Sequence, residues 1–211
     1  MKSTRRSGAK RKKLSTEIRR EQIAQAALDV IAEQGVAALS VAAVARRIGL
    51  VPSALYRHFR RKDQILDAVL ELIGKRLMEN VAGAQNQGSD AVDRLHLLLV
   101  GHVAMIRQNQ VILRIVFSEA IYGHHQAWRT KIQAILQDYL QAITALISDG
   151  QRTRQLRTAA DPGVVAILFL GLVQPAAILW HISNGRFDLD RQVMNAWKIF
   201  HRGIAAEKIR R

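Results

Sequence analysis

Residues 40–59, Ser-Val-Ala-Ala-Val-Ala-Arg-Arg-Ile-Gly-Leu-Val-Pro-Ser-Ala-Leu-Tyr-Arg-His-Phe, constrain this chain more tightly than any other stretch. Val41, Val44, Ala45 and Ile48 are spaced as the single apolar stripe of a short helix. Gly49 follows where the chain must turn, and a positive φ costs glycine little. Pro52 suits the first position of a second helix, because its φ is already near the helical value and it has no N–H to leave unpaired. Leu55 and Phe59, four residues apart, give that helix its buried side. Ser53, Ala54, Tyr56, Arg57 and His58 are left for the other faces. Two short helices around a tight glycine turn, the second with a polar and partly basic surface, predict a helix-turn-helix. Its second helix is the one that can enter a DNA major groove.

The residues before this stretch predict a supporting helix from about Thr16 to Gln34. Ser15 or Thr16 can cap it, and Glu17 and Glu21 suit the positive end of its dipole. Ile23, Ala26, Ala27, Val30 and Ile31 form its apolar face, and Gly35 ends it. Ser40 is then the N-cap of the next helix, where its hydroxyl and backbone N–H can also meet a phosphate. Charge follows the same division. Residues 1–62 hold 15 Lys/Arg against 4 Asp/Glu, whereas residues 63–211 hold 17 against 13. Most of the net charge of +15 therefore sits on the head, as in a polyanion-binding domain attached to one that is not. The alternative is a basic tail that only aids solubility. Residues 1–15, with seven Lys/Arg and almost nothing apolar, read as a disordered arm. Such an arm either follows phosphates and reaches a minor groove or is simply solvated.

Ile23, Ala26-Ala27, Gly35, Leu39-Ser40-Val41, Val44-Ala45, Gly49, Leu55-Tyr56, Phe59, Lys62 and Leu66 together resemble the DNA-binding domain of the TetR family of bacterial transcriptional regulators over residues 19–66. Two positions depart from the pattern. Val51 stands where the family often has Ser or Thr, which removes a side-chain cap, and Ser53 stands where it often has Gly. The resemblance implies that the helix beginning at Lys62 touches DNA with its N-terminus and continues into the C-terminal domain. The implied DNA-facing set is Ser40, Arg46, Ser53, Ala54, Tyr56, Arg57, His58 and Lys62, with Arg60 beside it. Arg57 is the candidate for reading a base edge, and Lys62 for a phosphate.

The rest of the chain reads as helical too. Apolar spacing is helix-like nearly throughout, prolines number only 3, and no strand-like alternation stands out. The expected fold is all-α, about nine helices: a disordered arm (1–15), a three-helix head (16–62) and a helical ligand-binding and dimerisation domain (63–211). In that domain, helices are expected near 63–87, 91–108, 110–121, 125–150, 163–183 and 188–208, with Asp161-Pro162 as a clear restart. The last two carry more apolar residues than one inner face requires. Val165, Phe169, Leu172, Val173, Ala176, Ala177 and Trp180 spread over one, and Val193, Ala196, Trp197 and Phe200 stripe the other. Such helices can pair across a two-fold axis as a four-helix bundle, and the resemblance implies a homodimer on a palindromic operator in double-stranded DNA. Residues 164–182 are also apolar enough to raise the question of a membrane span. Gln174 and Pro175 weaken that reading, and a buried interface helix explains the stretch without a membrane.

The resemblance further implies an inducer held among helices 63–150. Candidate lining residues are Leu77, His102, Met105, Ile106, Phe117, Ile121, Trp128, Ile135 and Tyr139, any of which can equally be plain core. Their composition points to a small apolar or aromatic ligand. His96, His102, His124, His125 and His181 lack metal-site spacing, and there is no cysteine, so neither metal nor cofactor is expected. No nucleophile elbow, phosphate-cradling loop or carboxylate pair suggests an enzyme. The basic N-terminus is not followed by the apolar run of a secretory signal, which suits a cytoplasmic protein. The leading expectation is a ligand-responsive repressor. A regulator without a small-molecule inducer, an activator, and a helical-pocket enzyme or carrier stay as alternatives.

Overall fold

The computed structural model describes residues 4–57, 59–109, 112, 115 and 126–206, with side chains described from residue 17 onward. Among these the chain forms helices and no strand, apart from an isolated bridge between Leu156 and Ala205. It divides into two compact units, residues 1–73 with 114–128, and residues 74–113 with 129–211.

The first unit contains α1 (Thr4–Gln34), a 3-10 turn at Val36–Ala38, α2 (Val41–Arg47), α3 (Pro52–Tyr56) and the start of α4 (Lys62–Gln87). Its core is Ile23, Ala27, Ile31, Val44, Leu55, Phe59, Ile65 and Leu66, all fully buried. These are the apolar positions of the four helices at helical spacing, so pattern and packing agree. Gly35 and Gly49 sit at φ 82° and 67°, the left-handed backbone that a side chain would strain. Two boundaries differ from the sequence reading. α1 begins at Thr4, so the helix takes in the basic segment before Thr16. Lys and Arg are good helix formers, and no proline interrupts residues 4–34. The units divide at residue 73, inside α4, and not at 62. Ile65, Leu66 and Val69 belong to the head's core, and Glu71 pairs with Arg20 of α1 at 3.2 Å.

The second unit contains the rest of α4, α5 (Ala91–Gln108), most of α6 (Gln126–Arg152), α7 (Pro162–Gly171), α8 (Gln174–Ile182) and α9 (Leu189–Ile204). Aspartates start three of these helices: the side chains of Asp90, Asp161 and Asp188 accept from Asp93 N, Val164 N and Arg191 N at 2.8, 3.0 and 3.0 Å. Leu95, Leu98, Tyr139, Ile143, Phe169, Val173 and Val193 are buried in its core. The single helix expected at 163–183 is broken between α7 and α8. Pro175 is the cause: it has no N–H for the carbonyl of Gly171, four residues back, and its ring crowds that carbonyl. Asn184 and Gly185, at φ 52° and 83°, then reverse the chain. The helix expected at 110–121 and the break at 122–125 lie outside the described residues.

Candidate nucleic-acid interface and effector core

Ser40 caps α2, its Oγ accepting from Ala43 N at 3.1 Å, and stays exposed. Its hydroxyl hydrogen remains for an outside acceptor such as a phosphate. α3 has no such cap. Val51 precedes it with its side chain 65% exposed, and the first turn is closed by the backbone bond from Ala54 N to Val51 O at 3.0 Å. Leu55 and Phe59 turn fully inward, which leaves Ser53, Tyr56 and Arg57 exposed and Ala54 half-buried. His58 lies outside the described residues.

The arginines of the head fall into two groups that sequence does not separate. Arg47 is committed to acids of α1, reaching Glu33 at 2.9 Å and Asp29 at 3.8 Å. Arg20 pairs with Glu71 and lies over the Phe59 ring at 5.3 Å, covering the end of the α3 turn. Arg46, Arg57, Arg60 and Arg61 are exposed, and among the described residues no acid pairs with them. Arg61 was not named from sequence; exposure beside Arg60 is what adds it. Lys62 is half-buried and its Nζ donates to the Val36 carbonyl at 2.8 Å. That bond ties the start of α4 to the turn after α1 and leaves two ammonium hydrogens for a phosphate.

The second unit holds a polar cluster within its apolar core. His102 on α5 is buried, and its Nδ1 lies 3.1 Å from the hydroxyl of buried Tyr139 on α6, the rings meeting edge-on. Asn80 on α4 donates from Nδ2 to the Leu98 carbonyl at 2.9 Å. Asn80 fits because residue 101 is glycine: a Cβ there would collide with the Asn80 amide. One turn earlier on α4, Arg76 donates to Asn109 Oδ1 at 3.2 Å, and Asn109 Nδ2 donates to the Met105 carbonyl. Burial holds the His102 imidazole down, from 6.5 to about 4, and pushes the Tyr139 phenol up, the Asn80 amide offsetting part of that rise. Both groups are therefore neutral at neutral pH.

Among the expected lining residues, Leu77, His102, Ile106 and Tyr139 are buried in this unit, and Met105 and Ile135 are half-buried there. Trp128 is buried but belongs to the first unit. Phe117 and Ile121 lie outside the described residues. Arg76, Asn80 and Asn109 were missed, and they make this core less apolar than composition implied. An asparagine amid apolar helix positions was the available signal. Among the described residues no cluster of His, Asp or Glu could hold a metal ion.

Most of the residues expected at a dimer contact are covered by the chain itself. Val165, Phe169, Val173, Ala176, Ala177, Val193 and Trp197 are buried in the chain's own core, and Leu172 and Phe200 are half-buried. The open apolar face is a neighbouring stripe: Val164, Ile167, Leu168, Ile178, Leu179 and Ile182, each 40–69% exposed. A helix apolar all round gives no hint from sequence of which side its own chain will cover.

An exposed recognition helix on a compact helical head, linked through one continuous helix to a second helical unit, defines a DNA-binding regulator of the helix-turn-helix class. A family model described as "Bacterial regulatory proteins, tetR family" matches residues 23–69, and one described as "Tetracyclin repressor-like, C-terminal domain" matches residues 88–204. The chain belongs to the TetR family. It is similar to a fatty acid metabolism regulator protein of Bacillus subtilis, 23% identical over 80% of this chain and 86% of that one. It is also similar to the nucleoid occlusion factor SlmA of Vibrio cholerae, 23% identical over 74% of this chain and 80% of that one. Among solved structures, the transcriptional regulator FadR from Bacillus subtilis in complex with stearoyl-CoA shares the fold, with a TM-score of 0.72 and 20% identity over 86% of this chain and 97% of that one.

Proposed function

We propose that this chain is a cytoplasmic, homodimeric repressor that binds a palindromic operator and releases it when a small molecule occupies the second unit. The observation that carries the reading is the exposed face of α3, Ser53, Tyr56 and Arg57, flanked by Arg46, Arg60 and Arg61, which no acid pairs among the described residues. Unpaired guanidinium groups are free to release phosphate counterions, and Arg57 is the candidate for a guanine edge. The partner surface is the open stripe of α7 and α8. Val164, Ile167 and Leu168 on α7 and Ile178, Leu179 and Ile182 on α8 are exposed at the three- and four-residue steps of one apolar face on each helix. This stripe also accounts for the mean hydropathy of 2.1 over Pro162–Ile182 without a membrane.

Ligand response is supported by the polar cluster in an otherwise apolar core and by the likeness to a regulator crystallised with stearoyl-CoA. A ligand acts only through a difference in affinity between the two states of the dimer. A second reading, a DNA-binding protein without a small-molecule inducer, draws on the similarity to SlmA. The test is selection of bound DNA from a random pool, followed by titration of the selected site and its variants. Arg57→Ala should change sequence preference, while Lys62→Ala should weaken binding to all sequences alike. Equal relative losses on every variant for both substitutions would remove the base-reading role of Arg57. An operator affinity unchanged by a compound that saturates the second unit would favour the second reading.

A further inference from the structure

In the first unit, the segment that joins α3 to α4 is held at both ends. The backbone of Phe59 continues the last turn of α3, its N–H donating to the Leu55 carbonyl at 2.9 Å. Leu55 and Phe59 are both fully buried, so α3 and the residue that follows its last turn are seated on the head's core together. The far end is held by Gln64, whose Oε1 accepts from Arg60 N at 2.6 Å, and by Lys62, whose Nζ donates to the Val36 carbonyl at 2.8 Å. The near end is held by Arg20 of α1. Its guanidinium carbon lies 5.3 Å from the centre of the Phe59 ring, and its Nη2 donates to Glu71 Oε2 of α4 at 3.2 Å. One side chain thus joins α1, α4 and the end of the α3 turn. The Arg20 and Glu71 side chains are 43% and 52% exposed, and solvent screens such a pair, so the contact adds little stability. Its geometry is more particular than its energy. A planar guanidinium can lie on a ring while its edge meets a carboxylate, and an ammonium cannot do both.

We propose that Arg20 is a positioning residue for operator recognition: it fixes α3 through the Phe59 ring, with Glu71 as its anchor, and touches no DNA itself. The proposal rests on reading α3 as the recognition helix. Tyr56 and Arg57, both exposed, lie three and two residues before Phe59, so a displaced ring moves them first. Base edges are read through hydrogen bonds that weaken steeply with misalignment, whereas sequence-independent binding depends on charge. Loosening Arg20 therefore lowers discrimination between sequences more than it lowers affinity for DNA in general.

Three variants of the full-length protein test this by fluorescence anisotropy on two duplexes: the one the wild type selects from a random pool, and a random-sequence duplex of the same length. Arg20→Lys keeps the charge and the reach to Glu71 but has no plane to lay on Phe59. It should bind the selected duplex about tenfold more weakly, the loss of one well-made base contact, and the random duplex as the wild type does. Arg20→Gln removes the charge, and on the random duplex the slope of log affinity against log salt should not change. Glu71→Gln removes a negative charge, which by electrostatics alone would tighten binding to both duplexes; it should instead weaken binding to the selected one. All three should keep the helix content of the wild type by circular dichroism. Wild-type discrimination in Arg20→Lys, or a slope reduced by about one in Arg20→Gln, would make Arg20 a phosphate contact and overturn the proposal. Equal tightening on both duplexes in Glu71→Gln would remove its anchor. Unfolding of Arg20→Lys would make the residue a stabilising one and overturn the positioning role. Failure of the wild type to select any sequence would instead count against the recognition-helix reading itself, and this proposal with it.

Discussion

Lowering the pH from 7 to 5 is expected to remove about 2 kcal/mol of folding stability per chain through His102 alone. Burial lowers this imidazole from 6.5 in the unfolded chain to about 4 in the folded one. Between those two values the unfolded state binds a proton that the folded state refuses, so stability falls as the pH drops through that window. At pH 5 the unfolded imidazole is almost wholly protonated and the folded one about nine-tenths neutral; the linkage relation converts that difference to about 2 kcal/mol. The loss approaches a ceiling of about 3 kcal/mol below pH 4, at 1.36 kcal/mol per pH unit of displacement. The measurement is urea unfolding followed by circular dichroism at pH 7, 6 and 5, with protein concentration and ionic strength held fixed. The comparison is with His102→Asn, which is neutral throughout, so only the slope against pH matters and not the variant's baseline. The wild type should lose about 2 kcal/mol more than the variant between pH 7 and 5. Tyr139→Phe should retain most of the pH dependence, because burial and not the hydroxyl is what lowers the imidazole. Parallel pH profiles for wild type and His102→Asn would refute the argument.

Ile167→Asp, on the open stripe of α7, should convert the proposed dimer to a folded monomer in sedimentation velocity; Phe169→Ala, in the same helix but fully buried, should instead destabilise the chain by about 3–5 kcal/mol. An unchanged sedimentation coefficient for Ile167→Asp would remove this face from the interface. Gly101→Ala should displace Asn80, break its bond to the Leu98 carbonyl and cost about 1–3 kcal/mol, measured by the same urea titration, even though alanine is intrinsically the better helix former.

Much of the architecture was legible because it is written in local patterns. The stripe through Val41, Val44 and Ala45, the glycine at residue 49 and the proline at residue 52 each act over a few residues, and the buried set of the head follows from them. The aspartate restart at residue 161 was readable for the same reason, since a cap acts within one turn. The α7–α8 break was a proline effect of equal range that the long apolar run concealed.

By itself, then, the sequence determined that this chain is helical, that it carries a helix-turn-helix head, and which residues of α3 turn inward. Those are consequences of periodicity, backbone preference and charge, and they need no knowledge of distant neighbours. Only the tertiary structure decided that Arg47 is spent on Asp29 and Glu33 while adjacent Arg46 meets no acid among the described residues, and which side of α7 and α8 the chain covers for itself. It alone set the His102 ring against the Tyr139 hydroxyl. The physical reason is common to all three. Pairing, burial and hydrogen bonding depend on which surfaces meet, and residues on different helices meet at distances that no sequence spacing records.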